Sequence, residues 1–387
     1  EKGDFMHRIV IAPDSFKGSL TAKEVCDAIE EGIKRVSHDA NTIKVPMADG
    51  GEGTVQSLVD CKNGDIIFTQ VLDPLGNEIE AFMGILENRT AVIEMASASG
   101  LPLVPVSKRN PLLTTTYGTG QLIKHGLALG VRKFIIGIGG SATVDGGAGM
   151  LQALGIRLLN DKGKEIDFGG GSLEDLKSID MSSMDPRLEE SEFLVACDVT
   201  NPLCGENGAA KVYGPQKGAT KDMVETLENN LHRFAQITKE HLSKDFSNFP
   251  GTGAAGGLGF AFVSFLNAKL QKGIDIVINE TNLEDHIKNA DLVITGEGKI
   301  DDQTIFGKTP IGISKLAKKY NVPAIVLTGT IDDDISEIYN QGVTSVFSIL
   351  KSPATLEYAM ENTYSLLLDA TERVFKLLVG TNKTLHP

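Results

Sequence analysis

Strand and helix signals alternate at both ends of this chain and lose that alternation in between. No other feature constrains the fold as strongly. "RIVIAPDSF" (8–16) opens with an apolar run that breaks at Pro13. Ser19 or Thr21 can then cap "TAKEVCDAIEEGIKRV", with Glu24 three residues after Thr21 as a capping box. Val25, Ile29, Ile33 and Val36 recur at helical spacing. "TIKVPM" predicts a second strand and "EGTVQSLVDC" a second helix. This βαβα order opens a parallel sheet. The rhythm returns near Asp285, where "ADLVITGEG", "VPAIVLTGT" and "VTSVFSIL" predict strands with helices between them. One helix from Thr355 to Leu378 is expected to close the chain.

The middle differs. "DIIFTQVLDPLGNEIEAFMGILENRTAVIEMA" predicts three consecutive strands, and later glycine-rich loops run into helices. The expected architecture is therefore α/β with two parts. A Rossmann-like parallel-sheet domain would be formed by both chain ends, residues 6–73 plus 285–380. A second, mixed α/β domain would be inserted at 74–284. The cleft between the two is the expected ligand site. "EKGDF" reads as an added leader ahead of a natural start at Met6.

The net charge of −14 argues against nucleic acid and against an anionic membrane surface as partners. No apolar run approaches the roughly 18–20 residues of a membrane span. Four cysteines without metal-ligand spacing predict free thiols in a reducing cytoplasm. The 42 glycines cluster beside apolar runs, as where backbone must approach a ligand or turn tightly.

The pattern Asp-Gly-Gly-x-Gly occurs twice, in "MADGGEGT" at Asp49 and in "TVDGGAGM" at Asp145. Each copy follows a strand-like run and precedes a helix. Both can be helix starts capped by aspartate, or loops whose N–H groups face a ligand. "GIGGSA" (137–142) fits the G-x-G-x-x-A of dinucleotide folds, but "TVDGGAG" intervenes where a helix should begin. A nest of N–H groups for phosphate fits better than a nicotinamide site. A plain tight turn is the other reading.

"APDSFKGSL" places Lys17 just past the first strand, and "ITGEGKIDDQT" delivers Glu297 and Asp301 past a strand expected to be central. Ligands of open α/β sheets bind at that carboxyl edge. Carboxylates there suit Mg²⁺ beside phosphates, and a solvated loop is the alternative. Asp198 in "ACDVTNPL" ends another apolar run, either as a metal or proton-accepting carboxylate or as an Asx-turn before Pro202. Arg109 can grip a carboxylate or simply lie on the surface.

Seven blocks in order, "IAPDSFKGSLTA", "VPMADGGEGT", "RNPLLTTTYGTG", "GIGGSATVDGGAGM", "CDVTNPLCGENGA", "GTGAAGGLG" and "TGEGKIDDQT", closely resemble the bacterial glycerate kinase family. The likeness spans Arg8 to Val379 and is specific because the blocks come together. Val144 stands where many relatives would have Asn. The resemblance implies a kinase that phosphorylates D-glycerate with ATP and Mg²⁺. It favours 2-phosphoglycerate over 3-phosphoglycerate and implies the two-domain architecture above.

On that reading Lys17 and Arg109 are expected at the substrate carboxylate and Asp49 at a hydroxyl. Gly139, Gly140, Ser141 and Thr143 would hold ATP phosphates, with Asp145 beside them. Asp198, Glu297 and Asp301 would share Mg²⁺ binding and proton acceptance, with Asp198, Lys17 and Asp49 as the catalytic set. The alternatives are a nicotinamide-dependent hydroxy-acid oxidoreductase and a non-catalytic sugar-acid binder. The assembly is left open, a homodimer included.

Overall fold

The computed structural model describes residues 8–300, 308–332 and 334–385, the last five without side-chain detail. The strands in chain order are β1 (Arg8–Ile11), β2 (Asn41–Lys44), β3 (Asp65–Leu72), β4 (Glu78–Ile85), β5 (Thr90–Glu94), β6 (Lys133–Gly137) and β7 (Arg157–Leu159). They continue as β8 (Ser178–Asp180), β9 (Glu192–Ala196), β10 (Lys269–Gln271), β11 (Leu292–Ile300), β12 (Ala324–Ile331) and β13 (Ser345–Ser348). The chain divides into two units. One combines Glu1–Asp49, Gln56–Lys62 and Ile274–Pro387, and the other Gly50–Val55 and Asn63–Gly273. The fold is α/β: a Rossmann-like parallel-sheet unit built from both chain ends, and a second, mixed α/β unit inserted in it.

The sheet of the first unit has the order β13-β12-β11-β1-β2, and each neighbouring pair is parallel. Successive side chains on a strand point to opposite faces. Accordingly Ile325 and Leu327 of β12 join one apolar cluster with Ile9, Ile11, Val25 and Ile29, while Val326 joins another with Ile311 and Ile338. Both faces are covered, as a parallel sheet requires.

Helix Ala22–Lys34 begins as the capping box predicts: Thr21 Oγ1 accepts from the Glu24 N–H at 3.3 Å, and Glu24 accepts from the Thr21 N–H at 2.8 Å. Its Gly32 lets the helix lie close on helix Thr363–Leu385, where a Cβ would sit 2.7 Å from the Leu368 carbonyl.

The closing helix is not continuous. Leu356–Glu361 and Thr363–Leu385 are separate, because Asn362 leaves helical geometry at φ −110° and ψ 11°. The Ser19 hydroxyl lies 2.6 Å from the Met360 carbonyl and donates to it.

The second unit holds a six-stranded sheet, β10-β9-β6-β5-β4-β3, and a small β7-β8 pair. Pairs from β10 to β5 are parallel and the two pairs from β5 to β3 are antiparallel. This corrects the expected boundary at residues 73 and 74. Asp65–Leu72 pairs with Glu78–Ile85 along its whole length, so the strand belongs to the inserted unit. The turn enforces it: Asp73 accepts from the N–H groups of Leu75 and Asn77. The later boundary falls at Gly273 rather than residue 284.

Phe134 and Phe193 stack at 5.0 Å in the core. Helix Ala254–Leu266 enters through Ala255, Gly256 and Gly257 at φ 54°, 70° and 93°. No helix among the described residues is long and apolar enough to cross a membrane.

Gly147 sits at φ +81°, and a Cβ there would overlap Ala261 Cβ. Gly147→Ala is therefore expected to cost ~2–5 kcal/mol through backbone strain and overpacking. Denaturant unfolding of the two proteins checks this, and equal stability would contradict it.

Candidate active site

Parallel strands deliver their carboxyl ends to one edge, and in the first unit that edge is polar. Past β1, the Asp14 N–H donates to the Gly296 carbonyl at 2.9 Å, and past β2 the Met47 N–H donates to the Pro13 carbonyl at 2.9 Å. Three segments are thus tied side by side. They line a cavity of about 350 Å³. Asp14, Lys17, Asp49, Glu297, Lys299 and Lys308 supply its charge, and Ile349, Leu356 and Met360 its apolar lining.

Asp14 is the group that sequence reasoning missed here. It is 5% exposed and accepts from the Ser15 N–H and the Thr309 hydroxyl, both at 2.6 Å. Burial, and then the neighbouring Asp49 charge, push its carboxyl up to about 6, against the opposing pull of Thr309, Ser15 and Lys17. A carboxylate with that midpoint can take a proton near neutral pH. In the sequence it is marked by no more than an acidic residue just past the first strand, in "APDSFKGSL", three residues before Lys17. Lys17 is exposed and Glu297 buried.

The polar site of the second unit is the loop after β6. Gly139 and Gly140 are exposed, Gly140 at φ +74°, while Ser141 and Thr143 are buried. Lys217 is 2% exposed and donates to Ser141 Oγ at 2.6 Å and the Thr143 carbonyl at 2.7 Å. Burial brings its ammonium down to about 7, with the Asp145 charge opposing. "YGPQKGAT" gave no periodic or motif signal for this lysine. Near this loop's residues, the buried Thr143 Oγ1 and Arg109 Nε are among the polar atoms of the unit without a hydrogen-bond partner. Gly218, next to Lys217, packs on the backbone of Arg109.

Asp145 does not lie open to a ligand. It is fully buried and accepts from the Thr116 N–H (2.9 Å), the Thr116 hydroxyl (2.7 Å) and the N–H groups of Gly147 and Gly149 (3.1 and 3.2 Å). Burial raises its carboxyl and these four donors oppose the shift. The geometry makes Asp145 the anchor of the loop.

The two Asp-Gly-Gly-x-Gly copies are not conformational repeats. The first has positive φ at Gly50 and Gly53, the second at Gly146 and Gly147. Asp49 lines the cavity of the first unit, whereas Asp145 is sealed. At the first copy, Glu94 accepts from the Val55 N–H at the start of helix Thr54–Lys62, at 2.9 Å. That distant cap has no sequence signal.

Val144 is fully buried in the apolar core, so no polar side chain is used at that position. Asp198 is exposed at the end of β9 and accepts from the Gly273 N–H at 3.1 Å. Asp301 lies outside the described residues.

The family model described as Glycerate kinase family matches residues 9–379. A Bacillus subtilis protein named glycerate kinase is 55% identical over 92% of this chain and 93% of its own. The Escherichia coli K12 protein named glycerate 2-kinase is 50% identical over 95% and 97%. The crystal structure of a protein assigned as glycerate kinase 2 from Salmonella typhimurium LT2 superposes with a TM-score of 0.91 at 48% identity, covering 98% of this chain and 100% of that one. The chain therefore belongs to the glycerate kinase family and is an enzyme of the kinase class.

Proposed function

We propose that this enzyme transfers the γ-phosphoryl group of ATP to the 2-hydroxyl of D-glycerate, giving 2-phosphoglycerate and ADP. The observation that carries the chemistry is Asp14, an enclosed carboxylate pushed up to about 6. Phosphoryl transfer needs positioning and charge neutralisation more than covalent help. Asp14 takes the hydroxyl proton as that oxygen bonds to the γ-phosphorus, and the bond to the ADP oxygen breaks. Asp14 is preferred to Asp198 as proton acceptor because it is enclosed while Asp198 is exposed.

Lys17 is read as a partner of the glycerate carboxylate and Asp49 as the acceptor for its other hydroxyl. Arg109 presents a buried Nε to an anionic oxygen. Gly139, Gly140, Ser141 and Thr143 suit phosphate oxygens, with Lys217 holding the loop.

The cavity's hard carboxylate oxygens fit Mg²⁺, which takes one or two carboxylates beside substrate phosphates. Glu297 would hold it, with Asp301 as the other proposed contact. Bound there, the ion would neutralise phosphate oxygens. Four free thiols support a reducing cytoplasm as the working compartment. The name of the E. coli relative supports the position of transfer.

Incubation with D-glycerate and MgATP should release ADP, and phosphorus NMR of the product should show a doublet from coupling to the single proton on C2. A triplet would place the phosphate on C3, and no ADP release would remove the kinase reading of this substrate. Asp14→Asn should lower kcat by roughly 10²–10⁴-fold, the usual worth of a positioned base. In the wild type kcat/KM should rise with pH through about 6, because only the deprotonated carboxylate accepts the proton. Asp14→Asn should lose that limb. A variant that keeps both rate and limb would exclude Asp14 from proton transfer.

A further inference from the structure

A second cluster of metal-ligating side chains lies outside the groups discussed above. Cys204 Sγ, a carboxylate oxygen of Glu228 and a ring nitrogen of His232 all lie within 4.8 Å of one another. Glu228 and His232 are four residues apart on helix Lys221–Leu242, so they share one face. Cys204 comes from the loop after β9, where the neighbouring Gly205 N–H donates to Glu228 Oε1 at 2.5 Å.

Glu228 is 7% exposed, and its Oε2 is buried without a hydrogen-bond partner. A buried carboxylate oxygen left unpaired is costly unless something cationic meets it. Among the described residues, the one basic side chain within ion-pairing distance of Glu228 is His232, whose Nε2 stands 3.3 Å from Oε1. The His232 side chain is 62% exposed, which leaves a path from solvent and room for a water ligand.

We propose that Cys204, Glu228 and His232 form a binding site for a zinc-class divalent cation. The donor set chooses the metal. One sulfur, one nitrogen and one oxygen suit Zn²⁺ or Co²⁺, whereas Mg²⁺ and Ca²⁺ take oxygen alone. Three protein ligands leave a fourth tetrahedral position for water. On binding, the Cys204 thiol gives its proton to solvent and the thiolate bonds the ion. The unpaired Oε2 gains a partner, and the loop is clamped to the helix. Because thiolate ligation releases a proton, uptake should strengthen as pH rises.

The test uses the full-length protein, stripped with chelator and titrated with Co²⁺ as the probe. A stoichiometric thiolate-to-cobalt charge-transfer band in the near ultraviolet is expected, displaced by Zn²⁺. Cys204→Ser should lose the band, and Cys197→Ser should keep it. His232→Ala replaces an exposed side chain and should fold normally, with Co²⁺ affinity at least ~10-fold weaker. Absence of the band in the wild type, its persistence in Cys204→Ser, or unchanged affinity in His232→Ala would each overturn the proposal.

Discussion

Parallel strands can be joined only by crossovers, so every strand of such a sheet is entered from one edge and left at the other. The rest of the first unit depends on that constraint. It gathers the segments after β1, β2 and β11 at one edge and ties them through the Asp14–Gly296 and Met47–Pro13 hydrogen bonds. Asp14, Asp49 and Glu297 then share one cavity although they are far apart in the chain. Crowding buried carboxylates raises the pKa of at least one of them. At Asp14 burial acts first and the neighbouring Asp49 charge second. The folded midpoint of Asp14, about 6, lies above the ordinary 3.8, so the stability it contributes is full below pH 3.8 and lost as pH rises through 6. That loss is about 3 kcal/mol. The sheet edge thus gives up stability at neutral pH to enclose this carboxylate.

The second unit solves a different problem. Its glycine loop must bring backbone against helix Ala254–Leu266 and still present Gly139 and Gly140 outward. A buried acid and a buried base fix it from within. Asp145 gathers donors from Thr116, Gly147 and Gly149, and Lys217 holds Ser141 and the Thr143 carbonyl. Gly256 shows why side chains are excluded there, since a Cβ at that position would overlap the Thr143 carbonyl.

Much of this was legible where the cause is local. Thr21 and Glu24 announce their helix because both partners of the capping box lie within one turn. The alternating ends announce the parallel sheet because its period and its crossovers are written in consecutive residues. The glycine loop at Gly139 to Thr143 was legible as a loop built for close approach. What escaped depends on partners distant in sequence. Glu94 meets Val55 across 39 residues, and Lys217 meets Ser141 across 76. Asp145 looked like an exposed ligand group because its sealing by Thr116 comes from 29 residues away. Asp65–Leu72 went to the wrong domain because a strand's sheet is decided by its pairing, and its own residues read the same in either.

The proposed proton acceptor at the sheet edge can be observed directly. Carbon-13 NMR of the aspartate carboxyl groups, with Asp14→Asn used to assign the resonance, would follow Asp14 through a pH titration of the intact enzyme. A midpoint of about 6 is the predicted result. A midpoint at the ordinary 3.8 would contradict the enclosed carboxylate on which the proposed chemistry rests.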